Sequence, residues 1–263
     1  MPSRRAGVTF DLWHTLLYLP PEAEEEYMER QMEVAVDALR SLPSDAQGPE
    51  VGDAALRAAF EAEYHAAIRA AGEGRTISPE TQFVRAARAA RRTARSTEYL
   101  FALKRLVEST GFRVAPGALA MLEELHEAGY RLGVISNTVG EPGAYFRPRL
   151  RALGFDRFVR EYTFSDEHPW AKPAPEIFRA TLDRLGVAPS SAVHVGDGRS
   201  DLDGAREAGL RAGILFTGLQ EYGEKYRALF FGRPARPDRP ELEVSRLELV
   251  PALVRRLLPL PRA

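Results

Sequence analysis

Apolar and polar positions divide the chain into two kinds of segment. Residues 7–10, Gly-Val-Thr-Phe, are a short apolar run of strand character that delivers Asp11 at its end. From residue 18 the period changes. Tyr27, Met32, Ala35 and Leu39 recur at helical spacing, and acids crowd the start of the stretch, so a helix is predicted over 22–42. Similar faces predict helices over 53–71, from Ser78-Pro79-Glu80 onward, and over 96–108. No strand-like run interrupts them. Residues 18–113 therefore read as an all-helical unit, held together by amphipathic faces.

Beyond Pro116 the pattern alternates. Helices are predicted over 117–128, 146–153, 174–185 and 201–208, stopped in turn by Gly129, Gly154, Gly186 and Gly209. Between them lie strand-like runs at 130–136, 163–165, 192–195 and 211–216. A Pro/Arg-rich loop at 233–240 precedes a closing helix near 247–258. Alternating units of this kind build a parallel sheet. The expected fold is α/β: a discontinuous Rossmann-like core of residues 1–17 and 114–263, with residues 18–113 inserted as a helical cap. Because the insertion leaves directly after the first strand, it must roof that strand's carboxyl end and Asp11, where open α/β sheets bind ligands.

Composition narrows the functional classes. The 263 residues are 44% hydrophobic and 28% charged, with net charge −1, so nucleic acid and anionic membranes are not expected partners. Absence of cysteine excludes disulfides, thiolate metal sites and a cysteine nucleophile. No signal peptide or membrane span is read in the sequence, so a cytoplasmic location and a monomer or homodimer are expected. Lysine occurs only at 104, 172 and 225 in a chain otherwise rich in arginine. Lys172, in Pro169-Trp170-Ala171-Lys172-Pro173-Ala174-Pro175, is therefore either an ordinary solvated loop lysine or a point charge held by its prolines.

The densest chemistry lies in His194-Val195-Gly196-Asp197-Gly198-Arg199-Ser200-Asp201. A buried strand ends in a glycine turn, followed by two acids four apart. Such carboxylates suit a hard cation, with magnesium expected. Asp201 also reads as a helix N-cap. Ser136, at the end of Val134-Ile135-Ser136-Asn137, reads either as a turn cap or as a hydroxyl at a strand tip.

Taken in order, Asp11 and Thr15, Ser136, Lys172, and Gly196-Asp197 with Asp201 resemble the four motifs of the haloacid dehalogenase-like hydrolase superfamily. The likeness extends through most of 117–209; the cap resembles it only in position and helical character. The resemblance implies that Asp11 is a nucleophile forming an aspartyl-phosphate. It implies magnesium held by Asp11, Asp197 and the backbone carbonyl of Trp13, with Asp201 in support. Thr15 or Ser136 would bond phosphoryl oxygens, Lys172 would balance charge, and Asn137 and His14 would lie beside the substrate.

One departure stands out. Phosphatases of this family carry a second aspartate two positions after the nucleophile, which protonates the leaving oxygen and then activates water; here that position is Trp13. Tryptophan cannot transfer this proton, a function worth about 10²–10⁴-fold. Three readings follow. The first, and the expected one, is a magnesium-dependent phosphatase for a small phosphorylated metabolite. Either its leaving group is good, as in an acyl phosphate, or another acid serves: His14, Asp166, Glu167 or His168. The second is a 2-haloacid dehalogenase, whose family members have an aromatic at this position and which would need a cap arginine such as Arg30 or Arg40. The third is a catalytically weak binding or regulatory protein. Tyr27, Arg30 and His65 are cap side chains that could reach the site.

Overall fold

The computed structural model describes residues 5–44, 51–219 and 242–260. Lys225 and the loop predicted at 233–240 lie outside them, as does most of the loop around residues 45–50. Strand β1 (Gly7–Phe10) is fully buried and leads into a tight turn. Strand β2 (Leu17–Tyr18) follows, then helices α1 (Pro21–Ser41), α2 (Asp53–Gly72), α3 (Pro79–Ala89) and α4 (Thr97–Ser109). The chain returns in β3 (Arg113–Val114) and continues as α5 (Ala118–Glu127), β4 (Arg131–Ser136), α6 (Phe146–Ala152) and β5 (Val159–Phe164). It ends with α7 (Pro175–Leu185), β6 (Ala192–Gly196), α8 (Arg199–Ala208), β7 (Ala212–Phe216), β8 (Glu243–Val244) and α9 (Val250–Leu257).

The sheet has the order β5-β4-β1-β6-β7-β8, every pairing parallel. This is the parallel sheet expected from the alternating pattern, and β1 lies inside it, between β4 and β6. Phe10 is level with Val134 on one side and Val195 on the other. The carboxyl ends of three strands are thereby brought side by side, and Asp11, Ser136 and Asp197 issue from them.

The four helices between β2 and β3 share one apolar cluster that includes Leu39, Phe60, Phe83 and Leu103. Ser78 caps α3 by accepting the Thr81 N–H at 3.2 Å. Phe83 stacks on Tyr99 with ring centroids 4.2 Å apart, joining α3 to α4. The segment leaves and returns through a two-stranded antiparallel ribbon, in which Leu17 pairs with Val114 and Tyr18 with Arg113. Neither β2 nor β3 was legible as a strand, because two residues are too few to show a period. Strand β5 runs over six residues rather than the three predicted, and α8 starts two residues before Asp201.

The helical segment also meets the sheet through buried polar groups. Tyr27 and Gln31 of α1 both donate to Oε1 of Glu141, in the loop after β4. Gln82 of α3 donates to the Val139 carbonyl at 2.7 Å. Burial pushes the Glu141 carboxyl up to about 7, with Tyr27 pulling against it. Glu141 is accordingly protonated in the folded protein up to about pH 7, whereas an exposed glutamate ionises near 4.5. Its contribution to stability is complete below 4.5, declines as pH rises through that window, and levels off above about 7, a loss of up to about 3 kcal/mol. Urea unfolding between pH 4.5 and 8 should show this decline in the native protein and a flatter profile in Glu141→Gln.

Candidate active site

Asp11 follows β1 with its backbone N–H bonded to the Val195 carbonyl at 2.8 Å, which ties it to the strand that carries the other acids. The chain then turns sharply. Leu16 and Leu17 both donate to the Leu12 carbonyl, and His14 occupies the left-handed region at φ 55°. This turn buries Thr15 completely. Across the strand tips, one carboxylate oxygen from each of Asp11, Asp197 and Asp201 lies within 4.8 Å of the others.

Lys172 is the cation of this cluster. It is 3% exposed, and its Nζ donates to Oδ1 of Asp11 and to Oδ1 of Asp201, the latter at 2.6 Å. The solvated-loop alternative is therefore ruled out. Asn137 fixes the lysine's backbone: its Oδ1 accepts the Lys172 N–H at 2.7 Å, and its Nδ2 donates to the Lys172 carbonyl at 2.9 Å. Asn137, expected beside the substrate, is thus engaged in bracing the lysine. Asp201 is not the N-cap. It lies in the first turn of α8, where Oδ2 accepts the Gly198 N–H at 3.1 Å and Oδ1 accepts from Lys172 and from His194.

Charge is unevenly compensated. Burial pushes Asp11 up to about 7; Lys172 pulls against burial, while Asp201 and Asp197 push with it. Burial also opposes ionisation of Asp201, but Lys172 and His194 outweigh it and hold that carboxyl well below the usual range. Lys172 thus bridges two of the three carboxylates, Asp11 and Asp201, and a cation bound among the three would relieve the repulsion that lifts Asp11. The donor set is all oxygen, as a hard divalent ion requires. Two more groups are poised for a ligand: the Thr15 and Ser136 hydroxyls are buried and find no hydrogen-bond partner among the described residues. Orphaned buried hydroxyls are costly unless something else occupies them.

The remaining candidates fall elsewhere. His14 Nε2 lies 2.9 Å from Oε1 of Glu24 on α1. Asp166 accepts from the Thr138 hydroxyl and the Gly143 N–H, Glu167 pairs with Arg147, and His168 lies 3.2 Å from Arg184. Arg30 and His65 are exposed, and Arg40 is exposed and paired with Asp37 and Asp53. The Trp13 ring sits edge-on to Phe112 and Phe146, with centroids 5.3 Å away in both cases. Sequence reasoning did not find Glu141, nor a role for His194. Both are polar residues in apolar surroundings, a weak signal without contacts.

A family model described as haloacid dehalogenase-like hydrolase matches residues 6–209. A phosphoglycolate phosphatase from Rhodospirillum rubrum is 37% identical over 108 residues, covering 41% of this chain and 44% of that protein. A glyceraldehyde 3-phosphate phosphatase from Pyrococcus abyssi is 38% identical over 100 residues, 38% of this chain and 41% of its own length. The chain thus spans less than half the length of these curated relatives. A 2-haloacid dehalogenase structure from Pseudomonas syringae superposes with a TM-score of 0.61 at 21% identity, over 96% of this chain and 99% of that one. At that identity the likeness speaks for the fold.

Removing the ammonium should expose how much the cluster depends on it. Lys172→Met leaves buried carboxylates without a counter-charge, and urea unfolding in chelator should show a loss of about 3–5 kcal/mol.

Proposed function

The chain belongs to the haloacid dehalogenase-like hydrolases, and from that membership we propose that it is a magnesium-dependent phosphatase acting on a small phosphorylated metabolite. The observation that carries this reading is the convergence of Asp197 and Asp201 on Asp11. A carboxylate attacking a phosphoryl group meets like charge, so a cation is needed between them. Displacing halide from carbon creates no such demand. The candidate arginines for a halide site also lie on exposed faces of α1. The curated relatives described above are named as phosphatases of small phosphate esters.

In this reading Asp11, Asp197 and the Trp13 carbonyl hold the ion, with Asp201 behind them. The ion's contribution is to neutralise charge on the phosphoryl oxygens. An Asp11 oxygen attacks phosphorus in line as the bond to the leaving group breaks; water then attacks the same phosphorus, its proton passing to solvent, and the Asp11 O–P bond breaks to free phosphate and the carboxylate. Thr15 and Ser136 donate their unpartnered hydroxyls to phosphoryl oxygens, and Lys172 offsets the negative charge that accumulates. The helices of 18–113 form a cap that keeps bulk water from the nucleophile.

Trp13 sets the substrate class. Its ring is committed to the aromatic cluster, and His14, Asp166, Glu167 and His168 each have partners away from the acids. Among the described residues, none of these candidates is thereby identified to protonate a leaving alkoxide. A leaving group that departs without a proton, such as the carboxylate of an acyl phosphate, suits the site better than an alkyl ester.

The protein should release phosphate from acetyl phosphate in magnesium and fall silent in chelator. Simple alkyl phosphates should turn over slower by on the order of 10²-fold or more. Metal-independent halide release from a 2-haloacid would overturn the assignment. Magnesium at 100 times its Kd should stabilise the native protein by about 2.7 kcal/mol and leave Asp197→Asn nearly unchanged.

Trp13→Asp should raise alkyl ester hydrolysis while lowering stability by about 1–3 kcal/mol, through loss of two edge-on ring contacts. An unchanged ester rate in the folded variant would remove the missing proton donor as the explanation.

A further inference from the structure

Behind the three acids lies a second polar layer that the proposed chemistry does not use. Thr9 of β1 and His194 of β6 are register partners across the centre of the sheet, and neither is exposed. His194 Nε2 lies 3.0 Å from Oδ1 of Asp201, and Nδ1 lies 2.9 Å from Oγ1 of Thr9. Phe178 of α7 meets the imidazole edge-on, with centroids 5.0 Å apart. An ionised Asp201 only accepts, so Nε2 carries the proton and donates. Nδ1 faces the Thr9 hydroxyl 2.9 Å away, closer than the Val193 carbonyl at 3.4 Å from the same oxygen, and in the neutral imidazole it accepts from that hydroxyl.

We propose that His194, with its tautomer fixed by Thr9, is a positioning residue that holds the Asp201 carboxylate and, through it, the Lys172 ammonium against Asp11. The proposal rests on the hydrolase reading of Asp11. Asp201 Oδ1 receives two donors, from β6 and from the lysine loop, while Oδ2 receives the Gly198 N–H. Three donors from three directions stop the carboxylate from rotating. They also leave its remaining lone-pair capacity on Oδ2, on the same carboxylate that belongs to the acid cluster. Removing His194 takes away one of these donors where the imidazole is sealed from solvent, so water cannot replace it. Asp201 and Lys172 then gain freedom together, and the charge that faces Asp11 is no longer fixed. Thr9 acts one step further out, by selecting the tautomer that donates.

The test compares His194→Leu, His194→Gln and Thr9→Val in the full chain. Leucine removes the donor, glutamine restores an N–H near the Nε2 position, and valine deletes the Thr9 hydroxyl at constant shape. Two quantities are read: the Kd for magnesium alone by calorimetric titration, and kcat against KM with acetyl phosphate. The expected result for His194→Leu is a 10–100-fold weaker magnesium Kd with a similar loss in kcat at near-constant KM. His194→Gln should recover most of both. Thr9→Val should shift both in the same direction by about two- to tenfold, the worth of one neutral hydrogen bond.

Unchanged Kd and kcat in folded His194→Leu would overturn the proposal, as would a glutamine variant as impaired as the leucine one, which would mark a packing role. If His194→Leu fails to fold, the glutamine and valine variants decide: near-native glutamine with weakened valine supports the proposal, and the reverse order sinks it. A native protein that binds magnesium but hydrolyses no phosphate compound would defeat the phosphatase reading, while the ranking of magnesium affinities still judges His194.

Discussion

One ammonium shared between two buried carboxylates governs this structure. Lys172 bridges Asp11 and Asp201 almost out of reach of water, and a third acid, Asp197, stands beside them. Buried charge is tolerated only where geometry compensates it, and here compensation is incomplete. Burial and the neighbouring acids lift Asp11, whereas Lys172 and His194 pin Asp201 as an anion. The asymmetry separates two residues of the same chemistry. Asp201 is an anchor, with two donors on Oδ1 and one on Oδ2. Asp11 is the carboxylate whose charge remains to be settled by what binds.

The fold exists, in functional terms, to hold that cluster. No single element could supply it: Asp11 comes from β1, Asp197 and Asp201 follow β6, and Lys172 precedes α7. Parallel pairing places β1 beside β6, and the Asp11 N–H on the Val195 carbonyl continues the ladder one residue past the strand. Asn137, after β4, then clamps the lysine's backbone from the other side. Asp11 and Lys172 are held through their backbones, whereas Asp201 is held by donors from Lys172, His194 and the Gly198 N–H.

Much of this was legible in the sequence because the site residues stand in the order of the motifs the chain resembles; the apolar pattern alone left Ser136 and Lys172 open between a structural and a chemical reading. Asp11, Ser136, Lys172, Asp197 and Asp201 occur in an order that a parallel sheet turns into proximity. What sequence did not disclose were contacts between elements. Nothing in the spacing of Tyr27, Gln31 and Glu141 shows that a helix side chain reaches a loop more than 100 residues away. His194 was visible as a polar residue in a buried strand, but its link to Asp201 depends on the pleat and on the first turn of α8. Asp201 was misread as an N-cap because helix starts are uncertain by a residue or two, and here that shift changed its partners. The Trp13 substitution was evident, but its aromatic neighbours Phe112 and Phe146 lie about 100 and 130 positions further on.

The β2–β3 ribbon has a consequence for how such a protein can change. Both crossings between sheet and helices run through adjacent strands only two residues long, paired Leu17 to Val114 and Tyr18 to Arg113. Everything between them could be lengthened, shortened or exchanged while the outgoing and incoming chains keep the same pair of positions. Asp11, Lys172 and the two acids after β6 would remain in register throughout. A neck this narrow separates inheritance of the reaction from invention of new specificities, so one chemical apparatus can be fitted with many different roofs.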